Sequence, residues 1–346
     1  VGTASGAASS AVVTLTPGST GAQNNNTVVN ASGSTANPTV DFGFIVPVYS
    51  LGNRVWFDTN NNSLLDGTEV GADGVTVELY AADGSGNPTG SVLSSQVTAN
   101  GGYYRFDNLP EGDYVVVIPA NQFSGGALTG YWSSGTTLDG TGAVLEPAAP
   151  APNGDVDSDD NGTRQTSGAF NGAVISGPVT LGPSASEPTG ETDADPTNPA
   201  GEAPDAFSNR TVDFGFYRQT LGDQVFVDAN NNGTYDGTDT ALSGATVQLF
   251  AADGVTEIPV GPDGVFGTSD DANGGVTTGA GGTYLFSGLP QGNYIVRVTP
   301  PAGYISTVDT ADSVDTGNPN TNTDDNDNGV GTASGAASSA VVTLTP

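Results

Sequence analysis

LGNRVWFDTNNNSLLDGTEVGADGVTVELYAADG, residues 51–84, is the stretch whose reading decides the fold. Near its end Val75, Val77 and Leu79 alternate with Thr76, Glu78 and Tyr80. Successive side chains of a strand point to opposite faces, so this period of two predicts a half-buried β-strand. The stretch recurs as LGDQVFVDANNNGTYDGTDTALSGATVQLFAADG at residues 221–254, with 18 of 34 positions identical. The match resumes as GGYYRFDNLPEGDYVV (101–116) against GGTYLFSGLPQGNYIV (281–296), and the offset has grown from 170 to 180. The extra residues fall around GPDGVFGTSDDANGG (261–275). DSDDNG (157–162) then matches DDNDNG (324–329), VTLGP (179–183) matches VTLTP (342–346), and TVDFGF occurs at both 39–44 and 211–216.

A larger repeat encloses these two units. VGTASGAASSAVVTLTP occupies residues 1–17 and again 330–346, which reads as a window on a tandem array with a period of 329 residues. The expected organisation is module A at 45–216 and module B at 217–346, with module B lacking its last strand. Residues 1–44 carry a TVDFGF with no DDNDNG loop before it, and read as the closing strands of a preceding module B.

Composition narrows the chemistry. The 346 residues carry a formal charge of −32, and there is no Cys, Met or His; all six basic residues are Arg. Disulfides, thiolate or imidazole metal sites, and Cys- or His-dependent nucleophilic catalysis are excluded. The negative charge argues against a nucleic-acid partner, whose phosphates require a positive surface. No apolar run approaches the ~18 residues of a membrane-spanning helix. Short alternating runs separated by turns such as ADG, LPEG and LPQG, with no sustained helical period, predict an all-β chain of serial sandwiches.

Acidic loops are the candidate sites. Asp58, Asn60, Asn62, the Leu64 carbonyl, Asp66 and Glu69 fall at positions 1, 3, 5, 7, 9 and 12 of a loop. Asp228, Asn230, Asn232, Thr234, Asp236 and Asp239 repeat that spacing. Hard oxygen donors so spaced suit calcium, which takes six to eight of them, better than magnesium, which keeps most of its water. Position 6, where Gly allows the sharp bend, is Gly233 in module B and Ser63 in module A. No helices flank either loop, so an EF-hand domain is not expected, and the alternative is a solvated Asn/Asp-rich turn. A second cluster comprises Asp155, Asp157, Asp159 and Asp160, repeated as Asp324, Asp325 and Asp327. Carboxylates so close repel by roughly 3–4 kcal/mol per pair at an effective dielectric of 20, which a folded loop tolerates with a cation or by staying splayed in water. Asp263, Asp270 and Asp271, in the insertion of module B alone, read equally as a metal site or an exposed loop.

The ordered blocks LGxxVxxDxNxNGxxD, GxxVxL, GxYxFxxLPxGxYxV and VDFGF resemble the B-type repeats of serine-aspartate-repeat adhesins, over about 110 residues in each module. Those repeats belong to the collagen-adhesin B-like, prealbumin-like sandwich group. The resemblance implies tandem immunoglobulin-like or prealbumin-like β-sandwich modules stacked end to end in bacterial surface stalks. It also implies calcium in the DxNxNG loop, held by Asp58, Asn60, Asn62 and Asp66, and by Asp228, Asn230, Asn232 and Asp236. Many relatives lock their sandwiches with a Lys–Asn isopeptide bond, which a chain without Lys cannot form. The expected function is a structural, non-enzymatic repeat of a calcium-stabilised extracellular filament, stalk or surface adhesin of a prokaryote, with neighbouring copies of the repeat as partners. The alternative is an adhesin module that binds carbohydrate or a surface, with Trp56, Tyr131 and Trp132 stacking on sugars. No pair of carboxylates is set apart from the acidic loops to mark a glycosidase.

Overall fold

Alternation sorts the strands into layers. In Thr76–Ala82, Val77 and Leu79 are fully buried while Thr76, Glu78 and Tyr80 are half-buried. The computed structural model describes residues 28–29, 35–36, 42, 46–152, 157–182, 187–188, 191, 195, 203–307, 319–320, 325–331 and 335–345. Most of residues 1–44, and Asp155 and Asp324, therefore lie outside the described residues.

Module A is a β-sandwich. One sheet runs Gly162–Arg164, Val174–Ser176, Gly112–Ile118, Thr76–Ala82, Pro88–Val97, with Val179–Leu181 also paired to Gly112–Ile118. The other centres on the opening strand Tyr49–Phe57, flanked by Ser208–Asn209, Tyr103–Leu109, Val70–Gly71 and the closing strand Phe214–Tyr217; Trp132–Ser133 pairs outside that strand. Between the sheets lies a core that includes Tyr49, Leu51, Val55, Leu79, Phe106, Ile118, Phe214 and Phe216. The TVDFGF segment closes this core by pairing parallel to the opening strand, Phe214 opposite Val55 and Phe216 opposite Phe57. Its Gly is required by close approach: a Cβ on Gly215 would lie 2.8 Å from the Trp56 ring.

Module B repeats the first sheet as Glu257–Ile258, Thr246–Ala251, Gly292–Thr299, Ala337–Ser338, Val330–Gly331. The VTLTP strand Val342–Leu344 sits where VTLGP sits in module A, with Leu344 opposite Gly292 as Leu181 is opposite Gly112. Its second layer is thinner. Gln219–Gln224 pairs with Thr283–Leu289, and Phe226–Val227 with Thr240–Ala241. Among the described residues of module B, nothing corresponds to the closing strand. The helical content of the described residues is two single 3₁₀ turns, Ala120–Gln122 and Asp205–Phe207. No helix there is long and apolar enough to cross a membrane.

Candidate functional site: the acidic loops and the module joint

Each DxNxN loop follows the strand that opens its module, and its side chains fold back onto its own backbone. Asp58 accepts hydrogen bonds from the amides of Asn62 (3.2 Å) and Ser63 (2.9 Å). Asn60 and Asn62 use their Oδ1 atoms to accept from Asn62 N–H (3.0 Å) and Leu64 N–H (2.9 Å). Their Nδ2 groups reach the Asp66 carboxylate at 3.4 and 2.8 Å, so positions 3, 5 and 9 meet at one point. Position 12 clamps the loop: Glu69 accepts from Thr59 N–H (2.6 Å) and Asp66 N–H (3.3 Å).

Module B builds the same loop. Gly233 N–H donates to Asp228 (2.8 Å), and Asn230 and Asn232 converge on Asp236 at 3.3 and 3.2 Å. The shorter Asp239 still reaches both clamp amides, Ala229 and Asp236, at 2.9 Å. The Thr238 amide and hydroxyl hold the Asp236 carboxyl below its ordinary range. Asp228 Oδ1 is buried and has no hydrogen-bond partner.

The sixth residue needs a left-handed backbone in both copies, with φ of +63° at Ser63 and +79° at Gly233. A side chain there costs about 1–2 kcal/mol. Ser63→Gly is therefore expected to stabilise module A by about 1 kcal/mol, net of the added unfolded-state freedom, raising its melting temperature by about 2–4 °C. Gly233→Ala should move module B the opposite way. Thermal unfolding of both variants checks the pair.

The second acidic cluster is placed against the first. Leu65 N–H donates to Ser158 O (2.8 Å) and Asp160 N–H to Ser63 O (3.0 Å), bracketing a bridge between Leu64 and Asp159. Module B repeats this with Tyr235 N–H to Asp325 O, Asp327 N–H to Gly233 O, and a bridge between Thr234 and Asn326. That pairing leaves the amides of Leu64 and Thr234 facing their own loops, bonded to Asn62 and Asn232. The carboxylates of the cluster are engaged by the fold. Asp157 accepts from Asn53 Nδ2 (2.8 Å), and buried Asp160 accepts from Gly162 and Gly215 N–H, both at 3.1 Å. Burial pushes the Asp160 carboxyl well above its usual range, partly opposed by those two amides and reinforced by Glu146 and Asp58. Asp327 accepts from Gly329 N–H and the Thr307 hydroxyl. Among the described residues, no three carboxylates form a group that could alone hold a metal; the convergence is of carboxylate with amide and carbonyl.

Residue 61, which lies between the candidate ligand positions, ties the first loop to module B. Asn61 Oδ1 accepts from Gly135 N–H (2.6 Å) and its Nδ2 donates to Gln291 Oε1 (3.0 Å) in the LPQG turn. Beside it a module A hairpin, Thr137–Leu138 with Val144–Leu145, places Leu138 in the core of module B. Leu138 N–H donates to Gln291 O (2.7 Å). Tyr217, buried where the modules meet, donates its hydroxyl to Thr136 O and accepts from Gln291 N–H (2.9 Å). Burial pushes this phenol above its ordinary range, so it remains a donor. Trp132 completes the contact: its Nε1 donates to Gly288 O (2.7 Å) and its ring packs on Phe266 at 5.6 Å. Pro290 is accordingly buried, while its counterpart Pro110 in module A is exposed.

Phe266 belongs to the insertion of module B. There Asp263 accepts from Val265 N–H, Asp271 from Gly267 and Thr268 N–H, and Asp270 from the Thr268 hydroxyl. These carboxylates shape the turn that offers Phe266 to Trp132. The aromatics weighed as sugar platforms are not free: Trp56 is fully buried, Trp132 is 4% exposed, and Tyr131 lies between Phe57 and the Arg218 guanidinium.

Fold and site together define a tandem β-sandwich repeat with an oxygen-rich loop at the end of each opening strand. The chain belongs to the SdrD B-like domain family, whose model matches residues 49–131 and 219–342. It is 30% identical over 274 residues to serine-aspartate repeat-containing protein F of Staphylococcus epidermidis, covering 78% of this chain and 11% of that protein. It is 32% identical over 285 residues to serine-aspartate repeat-containing protein D of Staphylococcus aureus strain Newman, covering 82% and 15%. The chain thus spans less than a sixth of the length of these relatives. Among solved structures it is similar to the shaft pilin SpaA of Lactobacillus rhamnosus GG, at 14% identity over 75% of this chain and 90% of that one, with a TM-score of 0.28. The joint-forming hairpin and the closing strand fall outside the family match.

Proposed function

We propose that this chain is a load-bearing repeat of an extracellular fibre or surface stalk of a prokaryote, stiffened by calcium and carrying no catalytic activity. The observation that carries this reading is the placement of the module A loop: Asn61 joins the candidate ligand loop to Gln291 of the next module. An ion there would hold the loop and, through it, the angle between modules. Asp58, Asn60, Asn62, Asp66, Glu69 and the Leu64 carbonyl would hold one ion, and their module B counterparts a second. The buried, unpartnered Oδ1 of Asp228 fits such an ion, since a lone buried carboxylate oxygen is costly unless a cation or donor meets it. Membership of a family whose curated relatives are serine-aspartate repeat proteins supports the structural role.

At free calcium 100-fold above the dissociation constant, each site adds about 2.7 kcal/mol. Calcium titration of the chelated chain, read by calorimetry, is expected to show two ions bound with a rise in melting temperature. Asp58→Ala should remove one ion and leave module B loaded. Equal melting curves with calcium and with chelator would refute the metal reading while leaving the structural one to stand on the joint.

A further inference from the structure

Module B contains an open groove where module A is closed. The groove, of about 340 Å³, is lined by Val225, Phe226, Val227, Tyr284, Val298 and Asn328 among others. Sequence alignment of the modules equates Val225–Val227 with residues 55–57 of module A, the stretch that the closing strand Phe214–Tyr217 covers. Val55, Trp56 and Ile118 are fully buried, whereas Val225, Phe226 and Val298 are only partly so. Tyr104, which donates to Val212 O ahead of the closing strand (2.6 Å), corresponds to Tyr284 in the groove wall.

Polar residues that meet the closing segment in module A recur in the groove wall of module B. In module A, Asn161 exchanges two hydrogen bonds with Asp213, its N–H to Asp213 O and its Oδ1 from Asp213 N–H, both at 2.9 Å. Its counterpart Asn328 lines the groove. Asp160 accepts from Gly215 N–H of the closing strand, and its counterpart Asp327 also lines the groove.

We infer that this groove receives a TVDFGF strand from another copy of the repeat, namely residues 39–44 of the copy that follows. The same six residues, at 211–216, lead into and form most of the closing strand of module A. Phe42 is 50% exposed in its own chain, whereas Phe214, its match, is 0% exposed. Phe42 is not among the residues that line this groove in its own chain. In a continuous array the next repeat supplies the strand covalently, and between separate chains it crosses as a donated strand. Nothing in this docking depends on calcium.

The test uses the full 346-residue chain. Light scattering is expected to show head-to-tail oligomers growing with concentration, because a heterologous contact leaves both ends open. Phe42→Asp should abolish them while near-ultraviolet dichroism of Trp56 and Trp132 stays unchanged. A Val225→Asp chain, with a blocked groove and an intact strand, should not self-associate but should form a one-to-one pair with the Phe42→Asp chain. Should Val225→Asp unfold module B, a synthetic peptide of residues 37–46 takes its place: it should bind the Phe42→Asp chain and disperse wild-type oligomers. Asp223 stands where module A has Asn53, whose Nδ2 meets Asp213 at 3.4 Å, so Asp223→Asn should lower the concentration at which chains associate. A monomer at all concentrations to which the peptide does not bind, or oligomers that survive Phe42→Asp, would overturn the inference.

Discussion

Trp132→Ala is expected to uncouple the two modules, splitting one unfolding transition into two and widening the distribution of angles between A and B in small-angle scattering. The indole is held on every side. Its N–H meets Gly288 O, one face packs on Phe266, and Arg164 lies over the ring at 4.2 Å. Truncating a buried Trp costs about 3–5 kcal/mol, and here the lost contacts belong to the joint rather than to either core. The buried Gly288 carbonyl would also lose its donor. Trp132→Phe keeps the stack and loses only the N–H, so its effect should be about 1 kcal/mol. If the alanine variant melts and scatters as the parent does, the modules are not mechanically coupled here.

The joint shows where sequence reading runs out. Strands were legible because period-two alternation reports which face is buried, and Val77 and Leu79 point inward as their pattern requires. The convergence of Asn60 and Asn62 on Asp66 was legible because the spacing of polar residues in a loop is local. That the two acidic clusters stack, Leu64 against Asp159 and Thr234 against Asn326, was not, because no pattern along the chain encodes which loops become neighbours. Much of the joint is built from what the modules do not share, the hairpin carrying Leu138 in A and the insertion carrying Phe266 in B. Comparing two copies locates such an insertion but does not say what it touches. Asp263, Asp270 and Asp271 drew notice for their charge, while the contact with module A is made by the phenylalanine between them. Asn61 falls between ligand positions and carried no signal either, although it joins the loop to module B.

Asp213→Ala is expected to destabilise module A as much as any single change in it. The Asp of TVDFGF read as part of a strand signature, yet its carboxylate is buried and accepts from two separate segments. Arg54 N–H donates to Oδ1 (2.9 Å), while Ser158 N–H (3.2 Å) and Asn53 Nδ2 (3.4 Å) donate to Oδ2. It therefore latches the closing strand to the opening strand and to the loop that backs the candidate metal site. Removing it strands buried donors at about 1–3 kcal/mol each, and bonds to a charged acceptor lie at the upper end, giving about 3–5 kcal/mol in all. Asp213→Asn retains one acceptor oxygen at the same volume and should lose roughly half as much. Trp56, opposite Gly215, reports the opening directly: its emission should shift red at lower temperature in the alanine variant, with asparagine between it and the parent. A loss below about 1 kcal/mol would mean that burial of Phe214 and Phe216 alone holds the strand. The same latch residue occurs as Asp41 in the copy of TVDFGF assigned to the module B groove. Asp41→Ala should accordingly weaken association between chains without lowering the stability of module A, a separation that a general unfolding effect would not produce.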